Sequence, residues 1–171
     1  VEQNREISYR HELVGAMKDE YAMKDEYAMK DLSSNEEFLS YIRTLIVGYD
    51  QSFSDVSTTR NHLSVTGELV PDRMFWVNYQ KKGEYNPVHH HSGLYSFVMW
   101  VQIPYDLKKE RDLYKDNPQI NNICSFSFVY NADGILTRPI DVDKSYEWEI
   151  ILFPSFRSHT VSPFLTCDGT R

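Results

Sequence analysis

The sequence predicts a mainly β protein, a sandwich or barrel such as a double-stranded β-helix (jelly roll, cupin-like), with N-terminal helices packed on one outer face. Three features of the 171-residue chain lead to this prediction. Aromatic residues make up 14% of it, and they favour the pleated, half-buried surfaces of sheets. Seven or eight short strand-like runs follow one another after residue 73. The segments before residue 50 have helical signals instead.

Residues 16–30 repeat a hexapeptide, reading AMKDEY, AMKDEY and AMK. Its residue types favour a helix, in which Glu20 with Lys24 and Glu26 with Lys30 form favourable i,i+4 pairs. A six-residue period places successive methionines roughly 120° apart around a helix, so they cannot form one buried stripe. The repeat therefore predicts a largely solvated helical extension, with a partner-docking arm as the alternative.

A second helical segment begins with a capping-box pattern, Ser34 followed three residues later by Glu37. Apolar residues then recur with the i, i+3, i+4, i+7 spacing of one buried helix face: Phe38, Leu39, Tyr41, Ile42, Leu45, Ile46 and Tyr49. We expect this helix to end near Gly48. Residues 51–72 are rich in Ser, Thr and Asp and predict a connector.

The strand-like runs define the main domain. They are 74–80, 88–91, 94–103, 123–131, 135–142, 146–153 and 158–164, with an eighth beginning near Arg171. Residues 131–134 are a hairpin signal, and the polar insert 105–122 has a short helical pattern at 107–114. We therefore divide the chain into a helical segment (1–50), a connector (51–72) and a jelly-roll domain (73–171). Because the chain lacks an initiator Met and stops in mid-pattern, we expect a fragment of a longer product with its last strand truncated.

Composition narrows the class of partner. The net charge of −7 argues against a nucleic-acid surface, which needs clustered Lys and Arg. Cys124 and Cys167 lack the spacing of a disulfide framework or a zinc knuckle. No apolar run approaches the roughly 20 residues of a membrane span. We expect a cytoplasmic protein without membrane or nucleic-acid partners, and leave the oligomeric state open.

Three adjacent histidines, His89 to His91, indicate a metal site when they are combined with the distant His159. A strand alternates its side chains between two faces, so His89 and His91 point the same way and His90 points away. Neutral imidazoles suit Fe, Zn, Cu or Ni. The alternatives are a solvated histidine run or core histidines that are satisfied by hydrogen bonds.

The surrounding motifs resemble a known family. Residues 76–78 (WVN), 83–93 (GEYNPVHHHSG) and 96–98 (SFV), followed by 152–161 (LFPSFRSHTV) and Arg171, are similar to the 2-oxoglutarate/Fe(II) oxygenases common in marine phages and bacteria. The resemblance covers roughly residues 73–171. It implies Fe(II), 2-oxoglutarate and O₂, the hydroxylation of an unknown substrate, and release of succinate and CO₂. A phage-encoded member would act in the host cytoplasm.

Carried over by position, the resemblance makes His89 and His159 iron ligands and Arg171 the 2-oxoglutarate-binding arginine. A planar guanidinium can bind the co-substrate's distal carboxylate bidentately. Asn78 and Tyr79 precede the site on a strand, where one of them faces inward, and we take both as candidates for the co-substrate pocket. The wider superfamily has Asp or Glu where this chain has His91. Either His91 is the third ligand, which we favour, or it stands nearby at an altered site.

Two other functions remain open. Residues 83–91 also fit the first cupin motif, Gly-x5-His-x-His, although the cupin glutamate is missing after His91. A three-histidine cupin-type dioxygenase would need no oxo acid and would be indifferent to Arg171. A non-catalytic jelly-roll module, such as a virion component with a vestigial site, is the alternative outside enzymology.

Overall fold

The computed structural model describes residues 16, 20–22, 35–61, 76–117, 120, 122–131 and 135–171, with the backbone alone at 20–22, 54–61, 131 and 135. The chain divides into two compact units, Val1–Ile7 with Ala22–Trp76 and Ser8–Tyr21 with Val77–Arg171. Each unit is described by itself. The predicted division into helical segment, connector and jelly-roll domain stays a prediction, as does the packing of helices on an outer face.

The first unit contains helix α1, Glu36–Asn61. Its cap is Asn35, one residue after the predicted Ser34, and the Asn35 Oδ1 accepts a hydrogen bond from the Phe38 amide at 3.0 Å. The predicted end near Gly48 is wrong. Gly48 stays within the helix because glycine permits helical geometry, and the Ser52 hydroxyl donates to its carbonyl at 2.8 Å. The helix kinks later, at Phe53 (φ −138°, ψ 28°), and continues into the predicted connector.

The hexapeptide repeat is not helical where it is described. Residues Glu20–Ala22 form strand β1, which pairs with β2, Trp76–Asn78. Upstream, the Ala16 amide donates to the Tyr85 carbonyl at 2.8 Å. The helix prediction is therefore wrong at these residues, because pairing with a strand outweighs weak local propensity. The rest of the repeat lies outside the described residues.

The regular structure of the second unit consists mainly of antiparallel strands, so the mainly β prediction is confirmed. They are β3 (Asn86–His89), β4 (Tyr95–Met99), β5 (Ser125–Asn131), β6 (Ile135–Asp141), β7 (Ile150–Pro154) and β8 (His159–Val161). One sheet has the order β3-β8-β5-β6 and the other pairs β4 with β7. The chain changes sheet at each step except the β5–β6 pair, which is consistent with a jelly roll. A 3₁₀ turn, Lys144–Tyr146, replaces the start of the strand predicted from 146.

The core lies between these two sheets. Phe126 on β5 and Phe153 on β7 are 1% and 4% exposed, and their ring centroids are 5.7 Å apart. Trp100, Ile103 and other buried apolar residues complete the cluster. The predicted helical pattern in the insert is confirmed as α2, Leu107–Asp112, capped by the Asp106 side chain. None of the described helices combines the length and the apolar character needed to cross a membrane.

Arg171 continues the sheet structure at the end of the chain. Its amide donates to the Gln80 carbonyl at 2.8 Å, and the Gln80 amide donates back to the Arg171 carbonyl at 2.9 Å. Two reciprocal bonds of this kind define a hydrogen-bonded antiparallel pair. This pairing places Arg171 beside Gln80, two residues after the end of β2. An eighth strand was expected to begin near Arg171.

Candidate metal centre

The fold brings two of the predicted ligands face to face. His89 ends β3 and His159 begins β8, and the two residues are register partners in the antiparallel pair. The register shifts between Asn86 and His89, so a local irregularity in β3 precedes the first histidine. The centroids of the two imidazole rings are 4.3 Å apart.

His91 is positioned differently from the sequence prediction. Strand β3 ends at His89, so alternation along a strand to residue 91 does not set the orientation of His91. Its amide instead donates to the carbonyl of buried Ser155 at 2.9 Å, which ties it to the end of β7. Gly93 then turns the chain with φ +92°, a conformation that glycine adopts without strain.

The three imidazoles form one cluster. The metal-binding atoms offered by His89, His91 and His159 all lie within 4.8 Å of one another. Ligand atoms on one ion at about 2.1 Å stand roughly 3 Å apart when cis, so the rings need to close by less than about 2 Å. His90 is exposed and is not part of the cluster. These three side chains are therefore close enough to bind a metal.

Backbone carbonyls fix the tautomer of two rings. His89 Nδ1 lies 2.8 Å from the Pro87 carbonyl oxygen, and His159 Nδ1 lies 2.9 Å from that of Arg157. A carbonyl oxygen can only accept, so each Nδ1 carries the proton and each Nε2 keeps its lone pair. Imidazoles oriented in this way are ready to donate Nε2 to an ion.

Burial keeps the cluster uncharged. It lowers the pKa of His91 to about 4, with further lowering from His89 and His159. Burial likewise lowers the pKa of His159 to about 4, and it lowers that of His89 against the opposing effect of the Pro87 carbonyl. Near neutral pH all three imidazoles are therefore uncharged, which is the form that binds metal.

Aromatic rings close one side of the cluster. The Phe126 ring stacks on His159 with centroids 5.3 Å apart, and the Phe153 ring meets His159 edge-on at 4.9 Å. His159 is only 3% exposed as a result. This apolar wall excludes water from one flank and limits the movement of the ring.

The donor set suits a borderline metal ion such as iron. The spacing of the ligand atoms, the neutral imidazoles and the fixed tautomers of His89 and His159 all fit the binding of such an ion. Among the His, Cys, Asp and Glu side chains of the described residues, no carboxylate belongs to this cluster. The set therefore departs from the usual two histidines and one carboxylate of non-haem iron oxygenases.

A family model described as "Putative 2OG-Fe(II) oxygenase" matches residues 74–171 of the chain. The chain belongs to this 2OG-Fe(II) oxygenase family. The matched region contains the three histidines and Arg171. No curated protein and no solved structure is significantly similar to the chain.

In this family member Arg171 is held by its own chain. Its Nε and Nη2 both donate to Gln80 Oε1, at 3.1 and 2.6 Å, and Nη2 also donates to the Ser162 carbonyl. Nη1 donates to the Tyr105 hydroxyl at 2.9 Å. A guanidinium has five N–H groups, so within the described residues one proton of Nη1 is left. The Nε–Nη2 edge of the guanidinium, which could bind a carboxylate bidentately, is therefore occupied by Gln80.

Asn78 and Tyr79, the two other residues predicted to bind the co-substrate, directly precede Gln80 in the chain. Asn78 ends β2 and Tyr79 follows it, and both side chains are half-buried. The Asn78 Oδ1 atom is buried without a hydrogen-bond partner among the described residues. An unsatisfied buried acceptor of this kind is where a ligand or an ordered water can bind.

Sequence reasoning missed the residues that position Arg171. Gln80 follows Asn78 by two positions, and that alternation was the only available signal for it. Tyr105 opens the insert, and nothing local connects it to Arg171. Glu110 lies on α2, is fully buried, and accepts hydrogen bonds from the amides of Leu165 and Thr166 at 2.8 and 2.7 Å. The insert therefore holds the segment that leads to Arg171.

Proposed function

We propose that this family member is an Fe(II)- and 2-oxoglutarate-dependent oxygenase of jelly-roll fold, which hydroxylates a substrate C–H bond and releases succinate and CO₂. The observation that carries the proposal is the convergence of three uncharged imidazoles, whose ligand atoms lie within 4.8 Å of one another. Membership of the oxygenase family implies that the metal is Fe(II) and that the co-substrate is 2-oxoglutarate.

His89 and His159 are the two ligands supported by fixed tautomers, and His91 is proposed as the third. A neutral third ligand leaves the ion with one more positive charge than a carboxylate would. That charge strengthens the attraction between the ion and an anionic oxo acid. Iron held there supplies the redox chemistry that couples the oxidative decarboxylation of 2-oxoglutarate by O₂ to hydroxylation.

Arg171 is proposed to bind the distal carboxylate of 2-oxoglutarate through its remaining Nη1 proton, next to the Tyr105 hydroxyl. Arg171 Nη1 already donates its other proton to the Tyr105 hydroxyl at 2.9 Å. Asn78 and Tyr79 are proposed to line the same pocket, where a water bound next to the co-substrate donates to the unsatisfied Asn78 Oδ1. The Phe126 and Phe153 rings keep bulk water from one side of the cluster.

The cytoplasm is the proposed setting. Cys124 and Cys167 are both free thiols in the structure, as is usual in a reducing compartment.

Succinate formation tests the activity directly. The full chain is loaded with Fe(II) without oxygen and then given O₂, ascorbate and 2-oxoglutarate with a panel of candidate substrates. Succinate above the level of His159→Ala is the expected result. His90→Ala is the matched control, because His90 is adjacent, exposed and outside the cluster. Succinate no higher than in His159→Ala would overturn the proposal.

A second candidate function is a non-catalytic jelly-roll module, such as a virion component, with a vestigial site. The absence of a carboxylate from the described cluster and the occupation of Arg171 by Gln80 favour it. Metal analysis after reconstitution separates the two. Stoichiometric iron supports the enzyme, whereas a metal-free protein supports the module. A cupin-type dioxygenase would oxidise its substrate equally well after Arg171→Ala.

A further inference from the structure

The inner face of β5 becomes exposed one residue pair beyond the histidine cluster. Phe126, Phe128 and Tyr130 alternate onto this face. Phe126 is 1% exposed, Phe128 is half-buried, and Tyr130 is 36% exposed. Because Phe128 is the register partner of His159, Tyr130 lies just outside the level of the cluster. This end of the sheet is therefore the rim of the site.

Side-chain exposure increases along strand β6 in the same direction. Its residues Ile140, Arg138 and Leu136 are the register partners of Phe126, Phe128 and Tyr130, and partners across an antiparallel pair share a face. Ile140 packs against the core, whereas Arg138 is exposed and Leu136 is 59% exposed. The rim thus combines a cation with exposed apolar side chains.

Arg157 brings a second cation to the rim. Its guanidinium carbon lies 5.7 Å from the Tyr130 ring centroid and 5.3 Å from that of Phe156. Stacking on two rings orients the guanidinium without using its N–H groups. Its backbone carbonyl accepts the Nδ1 proton of His159, so the residue is tied to the cluster.

Neither guanidinium is neutralised by the part of the chain that is described. Within the described ranges, Arg138 and Arg157 have no ion pair and no side-chain hydrogen bond. Arg111, by contrast, pairs with Asp141. In a chain of net charge −7, two cations at one rim that no described residue neutralises create a local positive field that attracts anions.

We propose that Arg138 and Arg157 form an anion-binding site at this rim, and that the substrate carries a carboxylate or phosphate group next to an apolar portion. The substrate assignment rests on the proposed oxygenase function. Arg157 lies in the turn before β8 with its guanidinium against the Tyr130 ring, and Arg138 lies on β6 opposite Phe128. Tyr130 and Phe128 are two residues apart on β5, roughly 7 Å along the strand, so two long side chains can reach one anion. Tyr130 and Leu136 contact the apolar portion.

Protection from phenylglyoxal tests the site without iron, 2-oxoglutarate or turnover. The full chain is modified at constant ionic strength, with and without inorganic phosphate, and each arginine is quantified by peptide mass spectrometry. Phosphate is expected to slow modification of Arg138 and Arg157 about fivefold at four times its dissociation constant. Arg43 and Arg111, which form ion pairs elsewhere, are the internal controls. Equal slowing at all four arginines, or at none, would overturn the proposal.

Variants then assign the binding to these side chains. In calorimetric titrations with phosphate and, separately, with acetate, Arg157→Gln and Arg138→Gln are each expected to weaken binding, and Arg111→Gln is expected to leave it unchanged. The stronger of the two probes identifies the anionic group. Circular dichroism verifies that each variant is folded. Unchanged binding in folded Arg157→Gln would contradict the site.

This outcome is independent of the proposed activity. Phosphate protection in a chain that forms no succinate would refute the oxygenase and leave the anion site in place. Succinate formation without residue-specific protection would do the reverse.

Discussion

His89 and His159 are register partners on neighbouring antiparallel strands, and each donates its Nδ1 proton to the carbonyl two residues before it. The hydrogen bonds that orient both rings thus go to the backbone, to the carbonyls of Pro87 and Arg157, and not to other side chains. Substitution of the Arg157 side chain leaves its carbonyl in place. The metal cluster and the anion site proposed at the rim can therefore be altered separately.

Loss of one imidazole is expected to abolish tight metal binding. Loss of an outer-shell partner alone costs up to about 100-fold in affinity, so His159→Ala and His91→Ala should each weaken Fe(II) binding by at least that factor. Anaerobic titration with a competing chelator measures the affinity. His90→Ala should bind iron like the unaltered chain. Unchanged affinity in His91→Ala would show that only two of the three histidines are ligands.

Substitution of Arg171 is expected to weaken co-substrate binding selectively. Arg171→Ala removes a charge-assisted hydrogen bond, a contact worth about 1.5–3 kcal/mol, so KM for 2-oxoglutarate should rise roughly 10-fold or more. Arg171→Lys should recover only part of this, since a lysine cannot maintain the contacts to Gln80, Tyr105 and Ser162 together. Arg111→Ala, which removes an exposed arginine, is the control. A KM equal to that of the unaltered chain would favour a cupin-type reaction without oxo acid.

Glu110 is expected to stabilise the fold and to position Arg171. Its carboxylate accepts hydrogen bonds from two amides and from the Thr166 hydroxyl. The chain just before the insert also packs closely against the segment that leads to Arg171, because a Cβ on Gly169 would lie 2.5 Å from the Pro104 Cβ. Glu110→Ala leaves buried donors unpaired and should lower the free energy of unfolding by about 3 kcal/mol or more.

Urea denaturation measures this loss, with exposed Lys109→Ala as the neighbouring control. Glu110→Gln keeps an acceptor oxygen and should recover part of the stability. In the folded Gln variant, KM for 2-oxoglutarate should rise while metal affinity stays constant. Parallel loss of both would indicate a general structural defect and not the positioning of Arg171.

Local patterns predicted the strands, because strand formation depends on short-range alternation of side chains. His89 and His159 come together through strand pairing, which the apolar runs around them indicate. His91 reaches the cluster for a reason that alternation does not contain: its amide bonds to Ser155, 64 positions along the printed sequence. Strand alternation alone therefore does not explain how His91 comes to lie beside the other two histidines.

Long-range contacts account for what the sequence did not reveal. Gln80 and Tyr105 meet Arg171 across 91 and 66 residues, and no local pattern encodes such a meeting. The hexapeptide has helical propensity, yet Glu20–Ala22 pairs as a strand, since a partner strand supplies more free energy than propensity does. Gly48 was read as a helix end, although glycine only permits an end and does not impose one.

Alkaline pH is expected to destabilise the fold through Cys124. Burial, reinforced by the neighbouring Glu110, raises the pKa of the Cys124 thiol from 9.0 to about 12. Burial also raises the pKa of Tyr105 to about 12, against the opposing effect of Arg171. Both groups keep their protons in the folded chain while the unfolded chain loses them, so stability is fully present below pH 9 and falls as pH rises toward 12. Each group contributes a slope of up to about 1.4 kcal/mol per pH unit.

Urea denaturation at a series of pH values from 8 to 11 measures that slope. Cys124→Ala and Cys124→Ser both remove the ionisable thiol, and both should show a shallower fall above pH 9 than the unaltered chain. The two variants differ in size and polarity, so their stabilities at pH 8 will differ while their slopes agree. Agreement in slope isolates ionisation from packing. A slope as steep as that of the unaltered chain in both variants would mean that the Cys124 thiol does not govern alkaline unfolding.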